Sequence, residues 1–67
     1  MTDTAKLEQS IKASGLTKRY IAKKLGISEM ALYKKINNIT EFKASEIAAL
    51  CELLNIESKL EIFLRRW

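Results

Sequence analysis

Residues 18–37, KRYIAKKLGISEMALYKKIN, predict two short helices joined by a tight turn. Helices that cross at about 90–120° need a small side chain where they touch, and Ala22 supplies one. Gly26 accepts the positive φ that the turn requires, and Ser28 can cap the helix that follows. Five apolar side chains are spaced to seat the pair on a core: Ile21, Leu25, Ile27, Leu32 and Ile36. The stretch predicts a helix-turn-helix of the kind that docks on DNA, with an ordinary helical hairpin as the alternative.

The remaining sequence predicts an all-α chain, because it has no proline, only two glycines, and apolar residues at helical spacing. Gly15 should end the first helix, Thr17 should cap the second, and Asn37-Asn38 should form the exit from the third. Phe42, in the loop that follows, is expected to fold back into the core. The five predicted helices cover about Thr4–Ala13, Lys18–Leu25, Ser28–Ile36, Ala44–Leu54 and Ser58–Arg66.

Basic residues are concentrated in the part of the chain that contains the helix-turn-helix. Residues 12–43 hold eight lysines and arginines against two glutamates, whereas residues 44–61 hold four glutamates against one lysine. A basic face with an acidic back is typical of a surface that contacts phosphates. Solvated lysines on amphipathic helices would give the same pattern, so the charges support the motif but do not replace it.

The sequence offers little for catalysis or metal binding. It has no histidine and a single cysteine, Cys51, so that no Cys–His pair and no typical set of metal ligands can be found. Cys51 shares a helical face with Ile47, Leu50 and Leu54 and is expected to be a core residue. The chain is therefore not expected to be an enzyme, and no cofactor, metal or small-molecule substrate is predicted.

Length and hydropathy favour one small domain that spans residues 1–67, with 48% hydrophobic residues. No apolar run approaches the roughly 18 residues of a membrane helix. The first residues, MTDTAKLEQS, lack the apolar centre of a signal peptide, and Met1 favours an intact start. A lone cysteine suits a reducing compartment, so we expect a cytoplasmic, nucleoid-associated protein with no membrane partner.

A family resemblance rests on motifs from nearly the whole chain. It starts near Leu7 and Ile11, continues through GLTKRYIAKKLGIS, MALYKKINN, FKASEI and LLNI, and closes with EIFL. With these motifs the chain resembles the DNA-binding domains of phage repressors and Cro proteins, the lambda-repressor-like helix-turn-helix family that includes Xre-type regulators. The resemblance implies a compact bundle of about five helices with the third in the major groove. Asn38 stands where relatives often have glycine, and Glu29 and Met30 stand where glutamines are frequent.

In this family arrangement the first turn of the third helix points at base edges, where Ser28, Glu29 and Met30 should lie. Glu29 can accept a hydrogen bond from the cytosine N4 amino group, or act only as a favourable first-turn charge. Met30 can contact a thymine methyl group. One turn later, Lys34 can bind guanine or a phosphate, and Tyr33 can contact the DNA backbone or belong to the core.

Phosphate contacts are expected on both flanks of the third helix. The second helix should aim its N-terminus at the DNA backbone, so that Thr17, Lys18 and the N–H groups beside them form an anion site. Lys23 and Lys24 are expected to be solvated. Four residues around the exit from the third helix can hold the other flank: Lys35, Asn37, Asn38 and Lys43.

The family usually works as a two-fold dimer on a pseudo-palindrome, with half-site centres about 34 Å apart. A chain of 67 residues has no room for a separate dimerisation domain, so the closing segment KLEIFLRRW is the candidate interface. Leu60 and Phe63 are the first choices to complete the core, while Trp67 can cap the core or join the interface. A dimer that forms only on DNA fits equally well. The interface candidates are Leu60, Phe63, Leu64 and Trp67.

Together these features predict a sequence-specific regulator of transcription that binds double-stranded DNA, either a phage Cro-like protein or a repressor that blocks polymerase at a short operator. The alternative is a helix-turn-helix protein-interaction module, such as an antirepressor or antitoxin, that holds a protein partner through its acidic last two helices. The concentration of positive charge argues against this as the sole role. Duplex binding that falls steeply with salt would distinguish the regulator.

Overall fold

The structure, a computed structural model, describes residues 2–56 and 62–63. Within them the chain forms four α-helices and no strand: α1 (Thr4–Ser14), α2 (Lys18–Leu25), α3 (Glu29–Ile36) and α4 (Ala44–Leu53). The predicted all-α class is confirmed, and the ends of these four helices differ from the sequence prediction by at most one residue. The predicted fifth helix at 58–66 lies outside the described residues, apart from Ile62 and Phe63. No helix in the described part is long and apolar enough to cross a membrane.

Side-chain and glycine caps fix the ends of the helix-turn-helix. Thr17 Oγ1 accepts a hydrogen bond from the Tyr20 N–H at 3.1 Å, and Ser28 Oγ accepts one from the Ala31 N–H at 3.0 Å. Both residues stand in extended backbone just before α2 and α3, so each begins its helix as predicted. Gly26 ends α2 with a φ of 73°, and nothing lies within 4 Å of the position its Cβ would take. The glycine is therefore needed for its positive φ and not for space.

The start of the chain is tied to the exit from α3. Asn38 adopts the left-handed conformation, with a φ of 62°, as expected for the residue that leaves this helix. Its Oδ1 accepts from the Thr2 N–H at 2.8 Å, and its Nδ2 donates to the Thr2 carbonyl at 2.9 Å. Thr4 adds a third tie, because its Oγ1 donates to the Ile36 carbonyl at 2.6 Å. These contacts hold the beginning of α1 against the end of α3.

The core lies where the four helices meet. α2 contacts both α3 and α4, and α1 contacts α3. Ala22 is 2% exposed, as expected for the small residue at the helix crossing, and Cys51 is buried as predicted. The buried apolar set comes from every helix and from the short described segment near the end of the chain: Leu7, Ile11, Ile21, Ala22, Leu32, Ile36, Leu50, Cys51, Leu54, Ile62 and Phe63.

An aromatic contact closes the core beside α4. Phe42 packs edge-on against Phe63, with ring centroids 5.4 Å apart and an interplanar angle of 84°, so Phe42 folds back into the core as predicted. Phe63 is only 3% exposed, which agrees with its expected place in the core and removes it from the dimer candidates, because its ring is already used by the core of its own chain. The other three candidates, Leu60, Leu64 and Trp67, lie outside the described residues.

Candidate nucleic-acid interface

α3 has one buried face and one exposed face. Leu32 and Ile36, each 1% exposed, anchor the helix on the core. The rest of its surface forms the exposed face, which carries Glu29, Met30, Tyr33 and Lys34. Met30 is 62% exposed and Tyr33 is 56% exposed, so Tyr33 does not belong to the core. The side chains of α3 that were predicted to read bases are therefore all accessible.

A shallow concavity joins this face to the beginning of α2. Lys18, Glu29, Met30 and Tyr33 line it. Lys18 belongs to the first turn of α2, next to the exposed N-cap residue Thr17. The positive end of the α2 dipole and the Lys18 ammonium group thus lie beside the exposed face of α3. An anion held at the start of α2 would be next to whatever α3 touches.

Lys18 is held by α1 without being enclosed. Its Nζ lies 2.9 Å from Glu8 Oε2, and the two side chains remain 47% and 40% exposed. Ion pairs with this much access to water contribute little to stability. A phosphate can therefore replace the Glu8 carboxylate as the partner of Lys18 without disturbing the fold.

Lys35 is placed differently from the sequence expectation. Its side chain is only 12% exposed, and its Nζ lies 3.1 Å from Glu46 Oε1 and donates to the Glu41 carbonyl at 3.0 Å. The ammonium group thus faces α4 and the loop between α3 and α4. Lys35 leaves the set of phosphate candidates, because its charge is already paired inside the protein.

Glu46 holds this arrangement from the first turn of α4. Its Oε1 also accepts a hydrogen bond from the Lys43 N–H at 2.8 Å, which satisfies a free backbone donor at the start of the helix. Burial raises the pKa of Glu46, but the hydrogen bonds from Lys43 and Lys35 and the charges of both lysines together lower the pKa below its usual value. Glu46 is therefore ionised at neutral pH and keeps Lys35 paired.

The remaining candidates around the exit from α3 differ in their freedom to contact a ligand. Lys43 and Asn37 are exposed, and the Asn37 Nδ2 group donates to the Tyr33 carbonyl at 2.9 Å with a second amide hydrogen to spare. The Asn38 amide is occupied by Thr2 through both its oxygen and its nitrogen. Asn38 therefore serves as a structural tie, and Lys43 and Asn37 are the better placed phosphate candidates.

Sequence reasoning missed two residues that shape this surface, Glu46 and Thr2. Glu46 carried one local signal, since it is the third residue of the helix that follows Lys43, the place of the acidic member of a capping box. Thr2 had no local sequence signal for its role, because its partner Asn38 lies 36 positions away in the sequence.

In the described part of the chain, no group of three or more His, Cys, Asp or Glu side chains could hold a metal ion. In comparisons with known proteins, a family model described as helix-turn-helix matches residues 7–60, from the middle of α1 to beyond α4. No curated protein and no solved structure matches the chain. The family match confirms the resemblance seen in the sequence, and domains of this family are regulators that bind double-stranded DNA. The chain belongs to the lambda-repressor-like, Xre-type helix-turn-helix family.

Proposed function

We propose that this DNA-binding regulator reads a short operator by placing α3 in the major groove, and that it represses transcription by blocking polymerase there, as a phage Cro-like protein or repressor does. The exposure of Met30 and Tyr33 carries the proposal. Two large side chains stand in water on a helix whose other face is fully buried, so the fold does not need them there. Insertion into the major groove would cover them.

Each side chain of the exposed face has a chemical counterpart on the base edges. Met30 contacts a thymine methyl group, Glu29 accepts from a cytosine N4 amino group, and Lys34 donates to guanine O6 and N7. Tyr33 reaches a sugar or a phosphate with its hydroxyl group. Ser28 uses one lone pair to cap α3 and keeps its O–H donor for DNA.

The phosphate contacts flank this face. Lys18, with Thr17 and the first N–H groups of α2, holds one backbone segment, and Lys43 with Asn37 holds the other. The two groups of residues stand at opposite ends of α3, since α2 begins beside Met30 and the loop to α4 follows Ile36. Such contacts set the register of the protein on the duplex, while α3 reads the sequence.

A selection from random duplexes, carried out at two salt concentrations, tests the proposal. We expect an enriched inverted repeat with half-site centres about 10–10.5 base pairs apart. Salt-sensitive binding without an enriched sequence would reduce the protein to a general DNA binder. Absence of binding at both salt concentrations would overturn the proposal and favour the protein-interaction module acting through a protein partner.

Two variants separate base reading from phosphate binding on the selected operator. Met30→Ala should lose about 1–3 kcal/mol at one base position, and little on random DNA. Lys18→Ala should weaken binding to all sequences alike and reduce the slope of log affinity against log salt by about one unit. Lys23→Ala is the matched control, because it removes the same charge from the exposed last turn of the same helix.

A further inference from the structure

Lys35 and Glu46 form the more enclosed of the two ion pairs in the described part of the chain. Their side chains are 12% and 9% exposed, against 47% and 40% for Lys18 and Glu8. Removing one member of an enclosed pair leaves the other charge without a partner, which is costly. A change in either side chain alone therefore disturbs the other.

The pair joins elements that otherwise touch little. α2 contacts both α3 and α4, whereas direct packing between α3 and α4 is sparse. Lys35 lies in the last turn of α3 and Glu46 in the first turn of α4, so their 3.1 Å contact is a direct polar link between these helices. The same two groups hold the intervening loop, through the Glu41 carbonyl at 3.0 Å and the Lys43 N–H at 2.8 Å.

The Lys35–Glu46 contact joins two elements that carry proposed DNA-contacting residues. Met30, Tyr33 and Lys34 are on the same short helix as Lys35, and Lys43 is the N-cap residue of α4. A change in the angle between α3 and α4 would move the base-reading face relative to the phosphate contacts. Contacts to base edges tolerate a change in helix orientation less well than contacts to phosphates, because base contacts depend on bidentate or close-packed geometry.

We propose that Lys35 and Glu46 are positioning residues for operator recognition, which fix α3 and the loop before α4 in the orientation that fits the major groove without touching DNA themselves. The inference rests on the proposed function, since it assumes that α3 reads the operator. It differs from the sequence expectation, in which Lys35 bound a phosphate.

The test compares Lys35→Met and Glu46→Gln on the selected operator and on random duplex, over a range of salt concentrations. Glutamine can still accept the Lys43 N–H, so Glu46→Gln removes the charge and leaves the start of α4 capped. We expect each variant to weaken operator binding by about tenfold and random-duplex binding by less, with an unchanged salt slope. Combining the two substitutions should lose no more than either alone, because the side chains act as one link.

The two single variants change the net charge in opposite directions, which gives the test its sharpest contrast. If overall charge governed their effect, Glu46→Gln would tighten binding while Lys35→Met weakened it. The inference requires both to weaken operator binding. Lys23→Met, which removes a charge without touching the pair, is the control.

Other results would overturn the inference in distinguishable ways. A salt slope reduced by about 0.9 in Lys35→Met would identify a phosphate contact. Equal losses on operator and random duplex would show that the pair serves the stability of the fold alone, and thermal unfolding of each variant would confirm it. Should Lys35→Met not fold, Glu46→Gln carries the same comparison. A native chain that binds no duplex would refute the proposed function itself.

Discussion

Asn38 occupies a backbone position that favours glycine, yet its side chain makes contacts that glycine cannot make. Its φ of 62° is in the left-handed region, which glycine adopts without steric cost. Both polar ends of its amide bind the backbone of Thr2, at 2.8 Å and 2.9 Å. Asparagine at this position therefore has a backbone cost that glycine avoids, but its side chain ties the first residues to the end of α3.

We expect Asn38→Gly to lower the free energy of unfolding by about 1 kcal/mol. The loss of two hydrogen bonds, at about 1 kcal/mol each, outweighs the relief of the left-handed backbone. Asn38→Ala should lose about 2–3 kcal/mol, because alanine also pays the steric cost of positive φ. Equilibrium unfolding in urea measures both values.

Asn55→Gly provides the matched control, because Asn55 has a φ of 56° at the exposed end of α4. Asn55→Gly measures how much glycine at a positive-φ position changes the free energy of unfolding when no tie to Thr2 is lost. If Asn38→Gly and Asn55→Gly changed the free energy of unfolding equally, the contacts to Thr2 would contribute nothing.

The sequence predicts where the helices begin and end far better than it predicts which side chains join one helix to another. Thr17, Gly26 and Ser28 act on N–H groups or dihedral angles within three residues of themselves, so their roles can be inferred from spacing alone. The exposed face of α3 was predictable for the same reason, since Leu32 and Ile36 define the opposite face by helical periodicity.

The role of Lys35 could not be inferred in this way. A lysine beside the exposed Lys34 looks like a second phosphate ligand until the position of α4 is known. Glu46 is 11 positions further along the chain, and the loop between α3 and α4 brings it to within 3.1 Å of Lys35. A charge partner from another element is a property of the tertiary fold and leaves no periodic trace in the sequence.

The link between α3 and α4 should be sensitive to acid. The pKa of Glu46 is lower in the folded chain than its usual value of 4.5, so its contribution to stability is present above that pH and is lost as the pH falls through the lowered pKa. We expect the native chain to exceed Glu46→Gln in free energy of unfolding by a constant amount near neutral pH. That difference should shrink below about pH 4.

Urea unfolding of both chains between neutral pH and pH 3 measures this difference directly. Glu52→Gln, on the exposed side of α4, controls for the loss of one acidic charge from the same helix. A difference between the native chain and Glu46→Gln that did not vary with pH would show that the ionisation of Glu46 is not what stabilises the link.

The size of the molecule limits how two copies can meet on DNA. The fold measures 30 × 23 × 20 Å. Half-sites one helical turn apart have centres about 34 Å apart, slightly more than this longest extent between Cα atoms, so that two copies meet through the side chains at their ends. Two copies bound to such half-sites can therefore touch only at their edges. An interface between them would be at the small end of the range for proteins, below about 1,200 Å² in total, where association is weak.

We therefore expect the protein to be a monomer at micromolar concentration and to pair only on its operator, where the duplex brings the two copies together. Sedimentation equilibrium with and without operator DNA measures the number of copies in each species. We expect a monomer without DNA and two copies on each operator duplex. An operator reduced to one half-site should bind a single copy with lower affinity. Five extra base pairs between the half-sites, which turn the second site to the opposite side of the duplex, should reduce the affinity to that of a single site. A stable dimer without DNA would contradict this expectation.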